Sequence, residues 1–97
     1  MYARVTSVEG SPERVEQGIS SFRESVLPLI REAGGRGALL LIDRETGKGM
    51  AITLWPDEQT MRASEERANE LRRQVVQEMG AGGEPRVDRY EVAVFDV

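Results

Sequence analysis

The spacing of apolar and polar residues divides the chain into strand-like and helix-like segments. Residues 2–8 alternate, with Tyr2, Arg4, Thr6 and Val8 on one side and Ala3, Val5 and Ser7 on the other. A period of two predicts a strand, β1 of the reading that follows. Glu9-Gly10 ends it. Ser11-Pro12-Glu13 reads as a helix start: Ser11 can cap, Pro12 suits the first helical position, and Glu13 matches the positive end of the helix dipole. Val15, Ile19, Phe22, Val26, Leu29, Ile30 and Ala33 then recur mostly at steps of three and four, one buried stripe on a long helix. Pro28 falls inside that stripe. It has no N–H for the carbonyl of Glu24, which predicts a kink or a break. Gly34-Gly35 supplies the stop.

The centre of the pattern is a hairpin over residues 36–55. The apolar run Gly37-Ala38-Leu39-Leu40-Leu41-Ile42 leads into Asp43-Arg44-Glu45-Thr46-Gly47-Lys48-Gly49, and Met50-Ala51-Ile52-Thr53-Leu54-Trp55 returns before Pro56. Two apolar runs around a glycine-containing loop are a hairpin signal. Asp57 then caps a second helix whose stripe is Met61, Ala68, Leu71, Val75 and Met79. Residues 62–67 hold Ala63 as their one apolar residue, so a bend is expected there. Gly80-Ala81-Gly82-Gly83 ends the helix, and residues 87–97 form a last strand, with Tyr90, Val92 and Val94 on one face and Glu91, Ala93, Phe95 and Val97 on the other.

The order β-α-β-β-α-β, with short connections, predicts an α+β fold of ferredoxin-like type: a four-stranded antiparallel sheet with both helices on one face. Strand 2 is apolar on both sides, Ala38, Leu40 and Ile42 against Leu39 and Leu41, and strands 3 and 4 largely follow. A sheet wetted on one side alternates apolar with polar residues. Something must therefore cover the second face, and in so short a chain a second copy does this most simply, giving a homodimer joined sheet to sheet.

Composition narrows the partners. The 97 residues fit a single domain, 1–97. A net charge of −4 argues against nucleic acid or an anionic membrane as partner. No stretch approaches a membrane span, and the start reads as a strand and not as a signal peptide, so a cytoplasmic location is expected. The sequence contains no cysteine and no histidine. That removes thiol nucleophiles, thiolate metal sites and the commonest general base. The serines lack a histidine to activate them, the glutamates at 13, 16, 65 and 66 read as solvated helix faces, and no metal ligand set is visible. The glycine cluster at 80–83 follows a helix instead of opening one, unlike a phosphate loop.

Leu27-Pro28-Leu29-Ile30, Gly34-Gly35-Arg36-Gly37, Leu54-Trp55-Pro56-Asp57-Glu58 and Arg89-Tyr90-Glu91-Val92, taken with the element order and length, resemble the dimeric α/β-barrel superfamily. Within it, the chain is most similar to the antibiotic-biosynthesis-monooxygenase-like (ABM-like) domains. The resemblance implies a small-molecule-binding protein, with cofactor-free oxidation of a quinol or other aromatic substrate as the activity to test. A non-catalytic dimerisation or ligand-sensing module is the alternative. In the haem-degrading branch an Asn on the first strand and a Trp and a His on the second helix carry the chemistry; the matching positions here are Ala3, Ser64 and Gln74, so haem is not expected. No cofactor is implied.

The resemblance also implies a pocket between sheet and helices. Phe22 and Trp55 are its candidate walls and Tyr90 a candidate hydroxyl, each with core packing as the plainer reading. Arg4 has two readings as well. On the face away from the helices it could pair with Glu91 across strands inside the dimer, or it could bind an anionic substrate.

Overall fold

The computed structural model describes residues 1–78 and 85–97. Strands β1 (Tyr2–Glu9), β2 (Gly37–Ile42), β3 (Lys48–Trp55) and β4 (Arg86–Glu91) form one antiparallel sheet in the order β2-β3-β1-β4. Helical segments α1 (Val15–Ser21), α2 (Leu27–Glu32), α3 (Glu58–Ala63) and α4 (Glu65–Glu78) provide the covering layer. This is the ferredoxin-like arrangement expected from the element order. No described helix is long and apolar enough to cross a membrane.

The first helical stretch runs through Pro28 without stopping. A 3-10 turn, Pro12–Arg14, leads into α1, and a π turn, Phe22–Val26, joins α1 to α2. In that turn the Leu27 N–H donates to the carbonyl of Phe22, five residues back. The wider turn ahead of Pro28 accommodates a ring that would meet the carbonyl of Glu24 in a regular helix. The start differs from expectation: Ser11 makes no side-chain cap. The opening turn is 3-10, and its first bond runs from the Arg14 N–H to the Ser11 carbonyl at 3.0 Å. The end is as expected. Gly34 takes φ +91°, and Gly34 and Gly35 donate to the carbonyls of Arg31 and Ile30, closing the helix.

The hairpin turn is built on Asp43, whose Oδ1 accepts the N–H groups of Glu45 (3.0 Å) and Thr46 (3.4 Å). Gly47 takes φ +82° and its carbonyl accepts the Gly10 N–H at 3.1 Å, tying the turn to the end of β1. Asp57 caps α3 as expected, accepting the Thr60 N–H at 2.7 Å. The expected bend falls at Ser64, between α3 and α4. The glycine stop at 80–83 and Met79 lie outside the described residues.

Strand β4 is shorter than the alternation implied. Tyr2, the first residue of β1, already faces Glu91, and the Val92 N–H donates to the Met1 carbonyl at 2.8 Å. Residues 93–97 extend past the strand that would pair with them, leaving Val94, Phe95 and Val97 exposed.

The register assigns the faces. Tyr2, Arg4, Thr6 and Val8 lie opposite Trp55, Thr53, Ala51 and Gly49 and share the helix side. Ile30, Trp55 and Met61 form the core there, with Tyr2, Val26 and Ala33 packed against it. The other side carries Leu39, Leu41, Met50 and Tyr90, at 44, 50, 37 and 54 % exposure.

A Cβ at residue 47 would sit 2.6–2.7 Å from backbone atoms of residues 10–12, whereas one at Gly37 would meet only Leu54 Cδ1 at 3.9 Å. Gly47→Ala is expected to destabilise the fold by about 2 kcal/mol or more, while Gly37→Ala stays within about 1 kcal/mol of the parent. Urea unfolding midpoints of the two variants check this.

Candidate functional site

The helix side of the sheet carries a charge in its interior. Arg4 is 2 % exposed. Its position is not the one expected from its polarity: it faces the helices, and Glu91 stands opposite Tyr2, not opposite Arg4. The partners of Arg4 come from the break between α3 and α4. Its Nη2 donates to the Met61 carbonyl at 2.7 Å and to Ser64 Oγ at 2.8 Å, and lies 3.4 Å from Glu65 Oε1. Its guanidinium carbon lies 5.2 Å from the centroid of the Trp55 ring, a cation–π distance.

The break follows from the same contacts. The Met61 carbonyl accepts from the Ser64 N–H (3.2 Å), the Ser64 hydroxyl (2.7 Å) and Arg4. With its oxygen engaged by three donors it does not continue the helical ladder, and a serine bonding its own turn favours an end over a continuation. Ser64, in turn, is placed to give Arg4 an acceptor.

Glu65 is shared. Arg89 of β4 grips both its oxygens, Nε to Oε1 at 2.6 Å and Nη2 to Oε2 at 2.8 Å, a two-pronged pair. The hydrogen bonds from Arg89, and then the charge of Arg4, hold the Glu65 carboxyl below the usual carboxylate range, with burial opposing them. Burial lowers the proton affinity of Arg4, while the Glu65 charge restores part of it. Arginine stays protonated at neutral pH through shifts of this kind.

Beside Arg4 lies a partly open cavity of about 80 Å³ between sheet and helices. Phe22, Val26, Leu29, Leu40 and Leu71 supply its apolar wall. Gly18, Gly49, Ala51 and Ala68 also line it, and their lack of bulk leaves the space. Arg4, Arg72, Thr6 and Thr53 supply the polar groups. Arg72, half-buried on α4, donates to the side-chain oxygen of Asn69. Burial, then the neighbouring charge of Arg4, lowers its proton affinity.

The structure therefore brings Arg4 and Phe22 together at one cavity. Trp55 stands behind them, fully buried in the core, its Nε1 donating to Thr53 Oγ1 at 2.9 Å. It touches the site through Thr53 and Arg4 and does not line the cavity. Tyr90 faces the opposite side of the sheet, beside Ala3. Reading by sequence assigned no site role to Ser64, Glu65, Arg72 or Arg89; Glu65, expected on a solvated helix face, is instead drawn toward the sheet by Arg89 and Arg4. Of these Arg72 carried a signal, since it follows Leu71 at the edge of the apolar stripe. Among the described residues, no three His, Cys, Asp or Glu side chains converge to hold a metal ion.

Comparison with solved structures meets the same architecture. A monooxygenase from the gene ActVA-Orf6 of Streptomyces coelicolor, in complex with nanaomycin D, superposes with a TM-score of 0.77 at 19% identity, over 99% of this chain and 92% of that one. A candidate antibiotic biosynthesis monooxygenase from Deinococcus radiodurans gives 0.76 at 12% identity, over 100% and 98%. By fold, this chain is a ferredoxin-like domain, the architecture those monooxygenases have. A dimeric ferredoxin-like protein from an uncultured marine organism gives 0.72 at 10% identity, over 99% of this chain and 90% of that one. No protein-family model matches the chain. By sequence, it is 35% identical over 96 residues to the uncharacterized protein Rv2558 of Mycobacterium tuberculosis, covering 98% of this chain and 40% of that protein. The uncharacterized protein Rv2557 of the same organism is 32% identical over 96 residues, covering 98% and 42%. The chain thus spans about two fifths of the length of these relatives.

The Glu65 carboxyl ionises more readily in the folded chain than in the unfolded one. Its contribution to stability is thus complete above the unfolded value, about 4.3, and is lost as pH falls through the lower folded value. Glu65→Gln should be less stable than the parent at pH 7, and the two unfolding curves should converge on acidification. Urea titrations across the acid range check the convergence.

Proposed function

We propose that this ABM-like chain binds a small apolar or aromatic molecule in the cavity beside Arg4, and that its activity is cofactor-free oxidation of a quinol or similar substrate. The observation that carries this reading is an apolar cavity between sheet and helices that ends at two guanidinium groups. The ligand-bound Streptomyces monooxygenase of the same fold supports it. The chemistry asks little of the protein. An electron-rich phenol reacts with dioxygen to give a quinone and water, the substrate supplying the electrons and hydrogens. The protein supplies a dry wall, here Phe22, Val26, Leu40 and Leu71, and cations that favour the ionised substrate.

The cavity volume favours a second reading. About 80 Å³ is well short of the roughly 300 Å³ of ordinary small-molecule pockets. A dimerisation module needs no ligand space, and a ligand-sensing module would have to open this cavity as the enzyme would. Oxygen uptake with a panel of quinols separates the two readings. Consumption by the parent, lost in the cavity-filling variant Ala68→Leu, is expected for the enzyme. A thermal shift with ligand but no oxygen uptake identifies a sensor, and neither response with any ligand overturns the binding reading.

The proposal includes a homodimer. Leu39, Leu41, Met50 and Tyr90 present an apolar sheet face that a second copy would bury. Tyr90 belongs to this interface in the proposal, and Phe22, Arg4 and the Thr53–Trp55 pair to the ligand side. Sedimentation should show a dimer for the parent and a shift to monomer for Leu41→Glu. A monomeric parent overturns the assembly.

A further inference from the structure

The charges around the cavity do not balance. Arg4, Arg72 and Arg89 gather about one carboxylate, Glu65. Arg89 takes both of its oxygens, and Arg4 shares one of them at 3.4 Å. The partner that Arg72 has among the described residues is the side-chain amide of Asn69, which carries no charge. Among the described residues no Asp or Glu lines the cavity, although Arg4 and Arg72 both do. This local excess of positive charge stands in a chain of net charge −4. Arg4 Nε, moreover, is buried with no hydrogen-bond partner. A buried donor without an acceptor and three cations sharing one carboxylate are unfavourable unless something else supplies the missing groups.

Resting on the cavity reading above, we infer that the missing group belongs to the ligand: the site selects small aromatic anions, with Arg72 as the residue that binds the anionic oxygen. The ring lies against Phe22, Val26, Leu40 and Leu71, and the oxygen accepts from the Arg72 guanidinium. Arg4 is the positioning charge behind it. Its Nη2 is already committed to Met61, Ser64 and Glu65, so it contributes field and, through Nε, one further donor. A carboxylate and a phenolate share this chemistry. Both place an oxygen-borne charge in the plane of a small ring, which suits a guanidinium fork better than an ammonium.

Benzoate, 4-nitrophenolate and the neutral benzyl alcohol distinguish these cases. Binding is followed by amide shifts in NMR titrations of the intact chain at low salt. At least one of the two anions should bind about tenfold more tightly than benzyl alcohol. Arg72→Gln should reduce that preference to about twofold or less while leaving the affinity for benzyl alcohol within about twofold, and Arg72→Lys should restore part of it. Ala68→Leu should abolish binding of all three, which places them in the cavity. Which anion gains more tells carboxylate from phenolate. Equal affinity for anions and benzyl alcohol in the parent overturns charge selection but leaves the cavity reading standing. A preference that survives Arg72→Gln overturns the role of Arg72. If none of the three binds, the cavity reading and the selection for anions fall together.

Discussion

A guanidinium that is 2 % exposed is the constraint from which the rest of this fold can be derived. A charge in a protein interior is tolerated when its donors are met and an opposite charge is near. Arg4 obtains the opposite charge and the acceptors of its Nη2 from a single place on the chain, residues 61–65, and its buried Nε is left without a partner. To offer a free carbonyl, a hydroxyl and a carboxylate within reach of one side chain, the second helical stretch must end and restart. Trp55 closes the arrangement from the sheet side, its ring under the cation and its indole N–H satisfied by Thr53. The break between α3 and α4, the seating of the only tryptophan and the polar end of the cavity are then parts of one solution. Removing one partner from a buried pair of this kind costs about 3–5 kcal/mol, a large share of the stability of a small domain.

The parts of the fold that could be read from the sequence are those governed by neighbours along the chain. Asp57 caps because an acceptor three residues ahead of a free N–H needs no tertiary information. Gly34-Gly35 ends a helix because a positive φ is inexpensive there. Alternation identified β1 as a strand, but it could not say which side faced inward. Arginine is usually solvated, so the polar member of the alternation was placed outside. The acceptors that reverse this expectation, Ser64 and Glu65, lie about sixty residues away and carry no local mark. Tyr90 shows the same limit from the other direction: its hydroxyl fitted a pocket in outline, yet the register with Ala3 turns it to the opposite face. The length of β4 was also hidden, because a strand ends where its partner ends, and pairing is a property of two segments.

The candidate site was legible in kind more than in membership. The resemblance implied a pocket between sheet and helices with Phe22 on its wall, and a cavity lies there; Arg4, singled out for the opposite face, stands at its end instead. Arg72 and the small residues that create the space were less visible. Gly18, Gly49, Ala51 and Ala68 matter for what they leave empty, and an absence of bulk gives no periodic signal. Similarity to solved structures at 10–19% identity fixes the fold. The chemistry must be argued from the side chains of this chain.

The turn at Gly47 has one further mechanical consequence. With its carbonyl bonded to Gly10 and no room for a Cβ against residues 10–12, the tip of the hairpin and the start of the first helix form a single rigid corner. The opposite wall is built differently. Between α4 and the first helical stretch, the polar links among the described residues include long, exposed pairs, Arg14 with the Gln77 carbonyl at 3.5 Å and Arg67 with Glu32 at 3.4 Å. The two walls are therefore held by different means: the Gly47 corner by backbone bonding, and α4 by side-chain links that run to the helix beside it and, through Glu65, to the sheet beneath it.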